Sequence, residues 1–424
     1  MAGRSEALCV ALFMAAFAAF LYRGESRIGW GALLTVLALF GLALLSKEHT
    51  IILPALLLLT DYWWNPGFSW RGILGNWKLY GILAVVVVGG LLLFKDLILH
   101  SPSAGFRVQD LTWYQYFFTE CRAVFVYPLE FLLPVRLNAD WDFPVSMTIF
   151  DHGALIGLVG LLLLVGLAWA FRKRYPLASF GVFTYLVLMA PTSSILPIKD
   201  PVAERRIYLS MLGLLLILVD VASRWKANPR KLVAAAIVVL LAATAATRAR
   251  ASVWANPVTL WEDTAAKSPH KRRVLFQLAS AYYDAGLYGK SVDQFRKTAL
   301  QFPPDYNLLI DWGLAYDRLN QIEPALDKLR QAAAMEPTAH VYTQIAMVYA
   351  SRRLWADALD SLAMAEKINS GYAPIYWYRG KIELANRQCA PAVEDLQRAL
   401  ALDPTMEPNI APDLASAEAC QTGR

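Results

Sequence analysis

The run Asp311-Trp312-Gly313-Leu314-Ala315-Tyr316, followed by Ala325, Leu329, Ala332 and Pro337, decides the fold of the C-terminal part of this chain. The same order of large, small and terminating residues recurs on both sides at a period near 34. Leu278-Ala279, Tyr282, Gly286, Ser291, Phe295, Thr298 and Pro303 precede it. Ile345-Ala346, Tyr349, Ala358, Leu362 and Ala365 follow, with Ser370 where proline is usual, and Gly380, Ala392, Leu396, Ala399 and Pro404 close the series. Small residues suit two antiparallel helices that touch closely, large ones fill the seam, and proline stops the second helix.

This spacing predicts four tetratricopeptide units over 272–305, 306–338, 339–372 and 373–406. A linker helix over 251–271 precedes them, and a capping helix around Asp413 to Cys420 lies within a tail over 407–424. Helix pairs stacked this way form an α-solenoid with a concave groove. Tyr283, Asp317, Arg318, Gln344 and Arg379 are the candidate groove residues for a protein or peptide ligand. Each one alone also fits an ordinary solvated helix position; the groove as a whole reads as a binding surface.

Upstream the composition changes. The chain has 424 residues, 57% of them hydrophobic, with mean hydropathy +0.38, and the excess is concentrated before Arg248. Residues 1–250 therefore read as a multi-span transmembrane domain, making the whole chain all-α. Candidate spans are 6–22, 30–46, 50–64, 79–99, 152–171, 177–194, 206–223 and 232–248. The stretch 113–134 is interrupted by Glu120, Arg122, Pro128 and Glu130, which suits an interfacial or re-entrant hairpin better than a clean span. The N-terminal run lacks a clean cleavage site and reads as a retained helix.

Net charge is +6, and basic residues collect in short links: Arg23/Arg27, Arg71/Lys78, Arg172/Lys173/Arg174 and Arg224/Lys226/Arg230/Lys231. Glu25 is the lone acid among them. Short basic loops stay cytoplasmic, so this pattern predicts membrane orientation rather than nucleic-acid binding. It places the repeats on the extracytoplasmic side, in a periplasm or lumen. Cys9 and Cys121 fall in apolar stretches as small buried residues, whereas Cys389 and Cys420 could pair in an oxidising compartment; the sequence leaves that open.

There is no phosphate-cradling loop, no His/Cys metal cluster and no nucleophile elbow, and the five histidines are scattered. What remains is a polar set at the outer membrane face: Lys47, Glu48, Arg122, Arg136, Asp140, Asp142, Lys199, Glu204, Arg205, Arg206 and Tyr208. Paired basic residues there could hold a lipid-linked phosphate. Asp140 or Asp142 could serve as a base or as a ligand to a divalent metal. Taken singly, each of these charges is better accounted for by interfacial anchoring. Glu204-Arg205-Arg206 stands apart, because three charges open an apolar helix that needs none of them.

Ala2-Gly3-Arg4-Ser5-Glu6, Leu45-Ser46-Lys47-Glu48 before Leu53-Pro54, Leu137-Asn138-Ala139-Asp140-Trp141-Asp142-Phe143-Pro144 and Ala203-Glu204-Arg205-Arg206-Ile207-Tyr208-Leu209 come in this order. Followed by Leu260-Trp261-Glu262-Asp263 and the repeats, they resemble the transmembrane and tetratricopeptide-repeat O-mannosyltransferase family. The resemblance implies a glycosyltransferase of the C superfamily, moving sugar from a polyprenyl-phosphate carrier to a Ser or Thr hydroxyl. On it, Lys47, Arg205 and Arg206 are carrier-phosphate ligands, with Glu48 and Glu204 orienting them. Members of that family carry a first span and an acidic outer loop ahead of the Gly-Arg-Ser-Glu string, which begins here at residue 3, so the catalytic acid is expected upstream of Met1. Whether this chain is an enzyme stays open at this point. The alternative is a non-catalytic, membrane-anchored repeat scaffold for envelope assembly, secretion or polysaccharide export, with membrane lipid and a groove ligand as its partners.

Overall fold

A computed structural model describes residues 2–23, 26–100, 111–225 and 228–422; Glu25 and Lys226 of the charged links lie outside the described residues. The chain divides into two compact units, Met1–Ala251 and Ser252–Arg424. Every extended regular element among the described residues is helical.

The first unit holds α1 (Ala2–Leu21), α2 (Trp30–Ser46), a 3₁₀ turn (Glu48–Ile52), α3 (Leu53–Trp64), α4 (Arg71–Gly75), α5 (Trp77–His100), α6 (Trp113–Ala123), α7 (Val126–Leu132), α8 (Ala154–Ala170), α9 (Pro176–Met189), α10 (Ile207–Arg224) and all but the last turn of α11 (Pro229–Trp254). Among the described residues, three helical stretches are long and apolar enough to cross a membrane: Asp151–Ala170, Glu204–Arg224 and Arg230–Trp254. Ser5–Leu21, Trp30–Ser46, Trp77–Leu92 and Pro176–Met189 are shorter apolar helices. In the apolar window of Arg230–Trp254 no residue is buried, and Val233, Val238, Leu240 and Leu241 are all exposed.

The run expected as one helix over 50–64 is two pieces. Pro54 fixes its own φ and suits the first turn of α3, so the segment starts as a 3₁₀ turn of 5 residues and continues as an α-helix of 12. At ~2.0 Å and ~1.5 Å per residue these rise by about 28 Å together, close to a bilayer's ~30 Å core. The two ends of this composite are tied. Lys47 Nζ lies 2.7 Å from Glu6 Oε1 at one end, and Arg23 Nη2 lies 2.7 Å from Asp61 Oδ1 at the other. Between those ties Phe13, Phe20, Val36, Phe40, Leu53, Leu56 and Leu57 form one buried core.

α9 and α10 cross at Gly181 and Gly213. A Cβ on Gly213 would stand 2.4 Å from the Gly181 carbonyl oxygen, and one on Gly181 would stand 2.6 Å from the Gly213 oxygen. Backbone meets backbone there, so neither position accepts a side chain without the helices parting.

The second unit opens with α12 (Pro257–Lys267) and continues as four helix pairs. They are α13 (Arg272–Asp284) with α14 (Tyr288–Gln301), α15 (Tyr306–Arg318) with α16 (Ile322–Met335), α17 (Ala339–Ser351) with α18 (Trp355–Ile368), and α19 (Pro374–Ala385) with α20 (Cys389–Leu402). A final helix, α21 (Glu407–Thr422), buries Ile410 and Ala417 against the last pair. Within each pair one small residue of the first helix, Ala279, Gly313, Ala346 or Gly380, lies against the second helix. The facing trio is Ser291/Phe295/Thr298, Ala325/Leu329/Ala332, Ala358/Leu362/Ala365 or Ala392/Leu396/Ala399, all fully buried. The sequence period is thus the period of a physical contact.

Each pair turns through a residue with positive φ, at Gly286, Asn320, Arg353 and Arg387 in succession. The backbone N–H of the next residue then donates to a carbonyl five positions back, as in Leu287 to Tyr282 (2.8 Å) and Gln388 to Glu383 (2.8 Å). Cys389 and Cys420 form a disulfide across a 31-residue separation, joining the start of α20 to α21.

Candidate functional site

In the first unit the polar residues assemble in two groups. Lys47 is held by Glu6, not by its neighbour Glu48, which corrects the expected orienting acid. The second group surrounds Arg206, whose side chain is only 5% exposed. Its guanidinium donates to the carbonyl oxygens of Asp200 (2.6 Å) and Pro201 (2.6 Å) and to the Tyr116 hydroxyl (3.3 Å), and lies 3.6 Å from Glu120 Oε1. Arg206 therefore pins the loop that precedes α10, and its donors face protein rather than an incoming phosphate. Arg205 is exposed beside it. Glu204 accepts a hydrogen bond from the Asn138 backbone N–H, and the Tyr127 hydroxyl accepts one from Ala203 N (3.2 Å). Asp140 is buried and Asp142 exposed in the adjoining loop.

Sequence reasoning missed Asp61. This fully buried carboxylate accepts hydrogen bonds from Arg23 Nη2 (2.7 Å), Asn65 Nδ2 (3.2 Å), Asn76 Nδ2 (2.7 Å) and the Tyr80 hydroxyl (2.7 Å). A buried carboxylate persists where several donors compensate its lost hydration. The signal was present, since Asp61 is an acid set inside the apolar run 50–64.

In the second unit the first helices of successive pairs pack on one another more extensively than the second helices do. The array therefore curves with its first helices inside. Along each of these inner helices the outward-facing residues follow i, i+4, i+7, i+11 spacing, one solvent-facing stripe. Its second position is half-buried in every pair: Gln277, Asp311, Gln344 and Tyr378. Its third position is Ser280, Leu314, Met347 and Lys381.

Gln344 and Arg318 belong to this stripe. Tyr283 and Asp317 lie one residue off it and join neighbouring pairs: Arg318 Nε donates to the Tyr283 hydroxyl (3.2 Å), and the Ser351 hydroxyl donates to Asp317 Oδ1 (3.3 Å). Arg379 turns the other way. Its Nε and Nη2 donate to both oxygens of Asp395 on α20 (2.5 and 2.9 Å), and Nη1 donates to Glu366 on α18 (2.7 Å). All three donor groups serve packing between helices, so the expected groove contact at Arg379 is corrected to an internal ion-pair cluster.

Electrostatics single out Asp311 on the stripe. Burial, reinforced by the like charges of Asp284 and Asp305, pushes its carboxyl up to about 6. Glu383 is raised to about 7, chiefly by burial and then by Asp395, with Arg379 opposing. The groove thus contains a carboxyl that a cationic or hydrogen-bonding ligand would keep ionised.

No family model and no curated protein matches the chain. Solved structures do show likeness. A MamA fragment from Desulfovibrio magneticus RS-1 is 16% identical with TM-score 0.31, covering 35% of this chain and 85% of that one. TTC0263, a thermophilic TPR protein in Thermus thermophilus, is 22% identical with TM-score 0.34, over 38% and 88%. YrrB, described as a TPR protein with an unusual peptide-binding site, is 17% identical with TM-score 0.30, over 39% and 81%. The helix pairs, their period and their repeated small-residue contacts define the class: an all-α chain carrying a tetratricopeptide-repeat unit.

Proposed function

We propose that this chain is a membrane-anchored tetratricopeptide scaffold whose inner-helix stripe binds a peptide or protein segment on the extracytoplasmic side. The observation that carries the reading is the stripe itself, four helices presenting hydrogen-bonding groups at equivalent positions along a concave surface. Solenoid concavities are suited to extended ligands because they offer a long, pre-organised face. Anchoring rests on α11, where an apolar helix with no buried residue in its window needs lipid around it. The other seven expected segments, over 6–223, supply the remaining crossings. The basic links set cytoplasmic sides, and the Cys389–Cys420 disulfide suits the oxidising side. Selection of displayed peptides on the purified protein tests this. Peptides recovered by wild type should lose binding to Gln344→Arg and Leu314→Glu variants that still fold. Peptides that bind these variants equally well would refute the assigned face.

A second reading is the polyprenyl-phosphate-dependent mannosyltransferase implied by the family resemblance. One observation favours it: the four strings that carry the resemblance meet in space two by two, through Glu6 with Lys47 and through Asn138 with Glu204. Lys47 and Arg205 would then address the carrier phosphate, with Arg206 positioning the loop. Mannose transfer from polyprenyl-phosphate mannose to a Ser/Thr peptide, abolished by Lys47→Ala, supports this reading; its absence at every protein concentration counts against it.

A further inference from the structure

Glu6 and Cys9 stand three residues apart on α1, which brings them to one face of the helix. His49 reaches that face from the 3₁₀ turn between α2 and α3. Glu6 Oε2, Cys9 Sγ and His49 Nε2 form a triangle whose three sides are each 3.9 Å. The Cys9 residue is wholly buried, and the Glu6 and His49 side chains are 12% and 19% exposed. At that separation the carboxylate and imidazole lie beyond nitrogen–oxygen hydrogen-bond range, and the thiol reaches each of them only at the outer limit of a sulfur hydrogen bond. The thiol's shortest contact is 3.2 Å, to the Glu6 carbonyl oxygen.

The centre of an equilateral triangle with this edge lies 3.9/√3, or about 2.3 Å, from each corner. Zinc sits at about 2.3 Å from thiolate sulfur and roughly 2.0–2.2 Å from imidazole nitrogen and carboxylate oxygen, so sub-ångström side-chain adjustments complete the coordination. A mixed sulfur, nitrogen and oxygen set selects zinc-type transition metals over magnesium or calcium. Lys47 on the other carboxylate oxygen fixes the rotation of Glu6 and leaves Oε2 facing the imidazole and thiol.

We propose that Glu6, Cys9 and His49 form a zinc-type metal site that staples the start of α1 to the corner between α2 and α3, with a fourth coordination position open to water. On loading, the Cys9 thiol releases its proton and the thiolate, the neutral imidazole and the carboxylate each donate an electron pair; no redox change is involved. The site is independent of the groove, and it shares Glu6 with Lys47, the carrier-phosphate residue of the second reading.

Cobalt(II) is the probe, added to the chelator-treated full-length protein in detergent. One equivalent should bind with a near-ultraviolet thiolate-to-cobalt absorption, and zinc should displace it. Cys9→Ser should remove that band, and Cys9→Ser with His49→Ala should weaken zinc binding on the order of 100-fold or more, while Glu323→Gln, altering an exposed acid of the repeat unit, retains wild-type affinity. The wild-type spectrum decides the matter even where a variant fails to fold. Bound cobalt without a thiolate band, or zinc held no better by wild type than by the folded double variant, overturns the proposal.

Discussion

Replacing Arg379 by alanine should destabilise the repeat unit without acting through a ligand. The guanidinium makes three hydrogen bonds to two carboxylates, bridging α18, α19 and α20. Asp395 is 7% exposed and would lose its cation. Removing one partner of a fully buried pair costs about 3–5 kcal/mol, and an exposed pair is worth at most about 1 kcal/mol. The Arg379 and Glu366 side chains are 23% and 30% exposed, which places the expected loss between these limits, at about 2–3 kcal/mol. For a unit of this size that corresponds to a fall in melting temperature of roughly 5–10 °C. Urea unfolding of a 252–424 fragment, followed by circular dichroism, measures it. Burial pushes Glu366 up, but hydrogen bonds from Arg379 and Tyr376 outweigh it and hold the carboxyl below its usual range. Its contribution is therefore present above about pH 4.5 and lost as pH falls through the depressed value, so the variant and wild type should converge in acid. A loss below about 0.5 kcal/mol at pH 7 would refute the cluster's structural role.

Asp311→Asn should stabilise the unit at pH 7.5 by about 1–2 kcal/mol, since a shift from 3.8 to about 6 is discounted for partial exposure. The wild-type carboxyl is raised, so stability is lost as pH rises from about 4 through 6; the gain should vanish below pH 4, as unfolding at a series of pH values will show. Cys420→Ser should cost about 3–4 kcal/mol on chain-entropy grounds for the 31-residue loop, and reductant should lower wild-type melting comparably while leaving the variant unchanged. Gly213→Leu should separate α9 from α10 and lower the detergent-melting temperature of the full-length protein, whereas Gly31→Leu, with open space beside its Cβ position, should not.

The repeat unit was legible because its period repeats a contact. At the closest approach within each pair the first helix places glycine or alanine, at Ala279, Gly313, Ala346 and Gly380, and the sequence shows that restriction four times. The same register held the answer for Arg379. Its equivalents are Leu278, Trp312 and Ile345, apolar positions largely buried between helices, so an arginine there had to turn inward and find acids. The first unit was less legible. The ties of Glu6 to Lys47 and of Arg23 to Asp61 join residues 41 and 38 positions apart, and no local pattern specifies such partners. The break in 50–64 has a local cause in Pro54, but hydropathy alone reads straight through it.

A photoreactive amino acid placed at Gln344, on the inner stripe of α17, compared with one at Asp360 on the outer helix α18, tests the central claim in intact cells. The expected result is a discrete crosslinked adduct at position 344 only, removed by protease added from the extracytoplasmic side of opened envelopes. Equal labelling at both positions, or an adduct that this protease cannot reach, would contradict an extracytoplasmic binding groove.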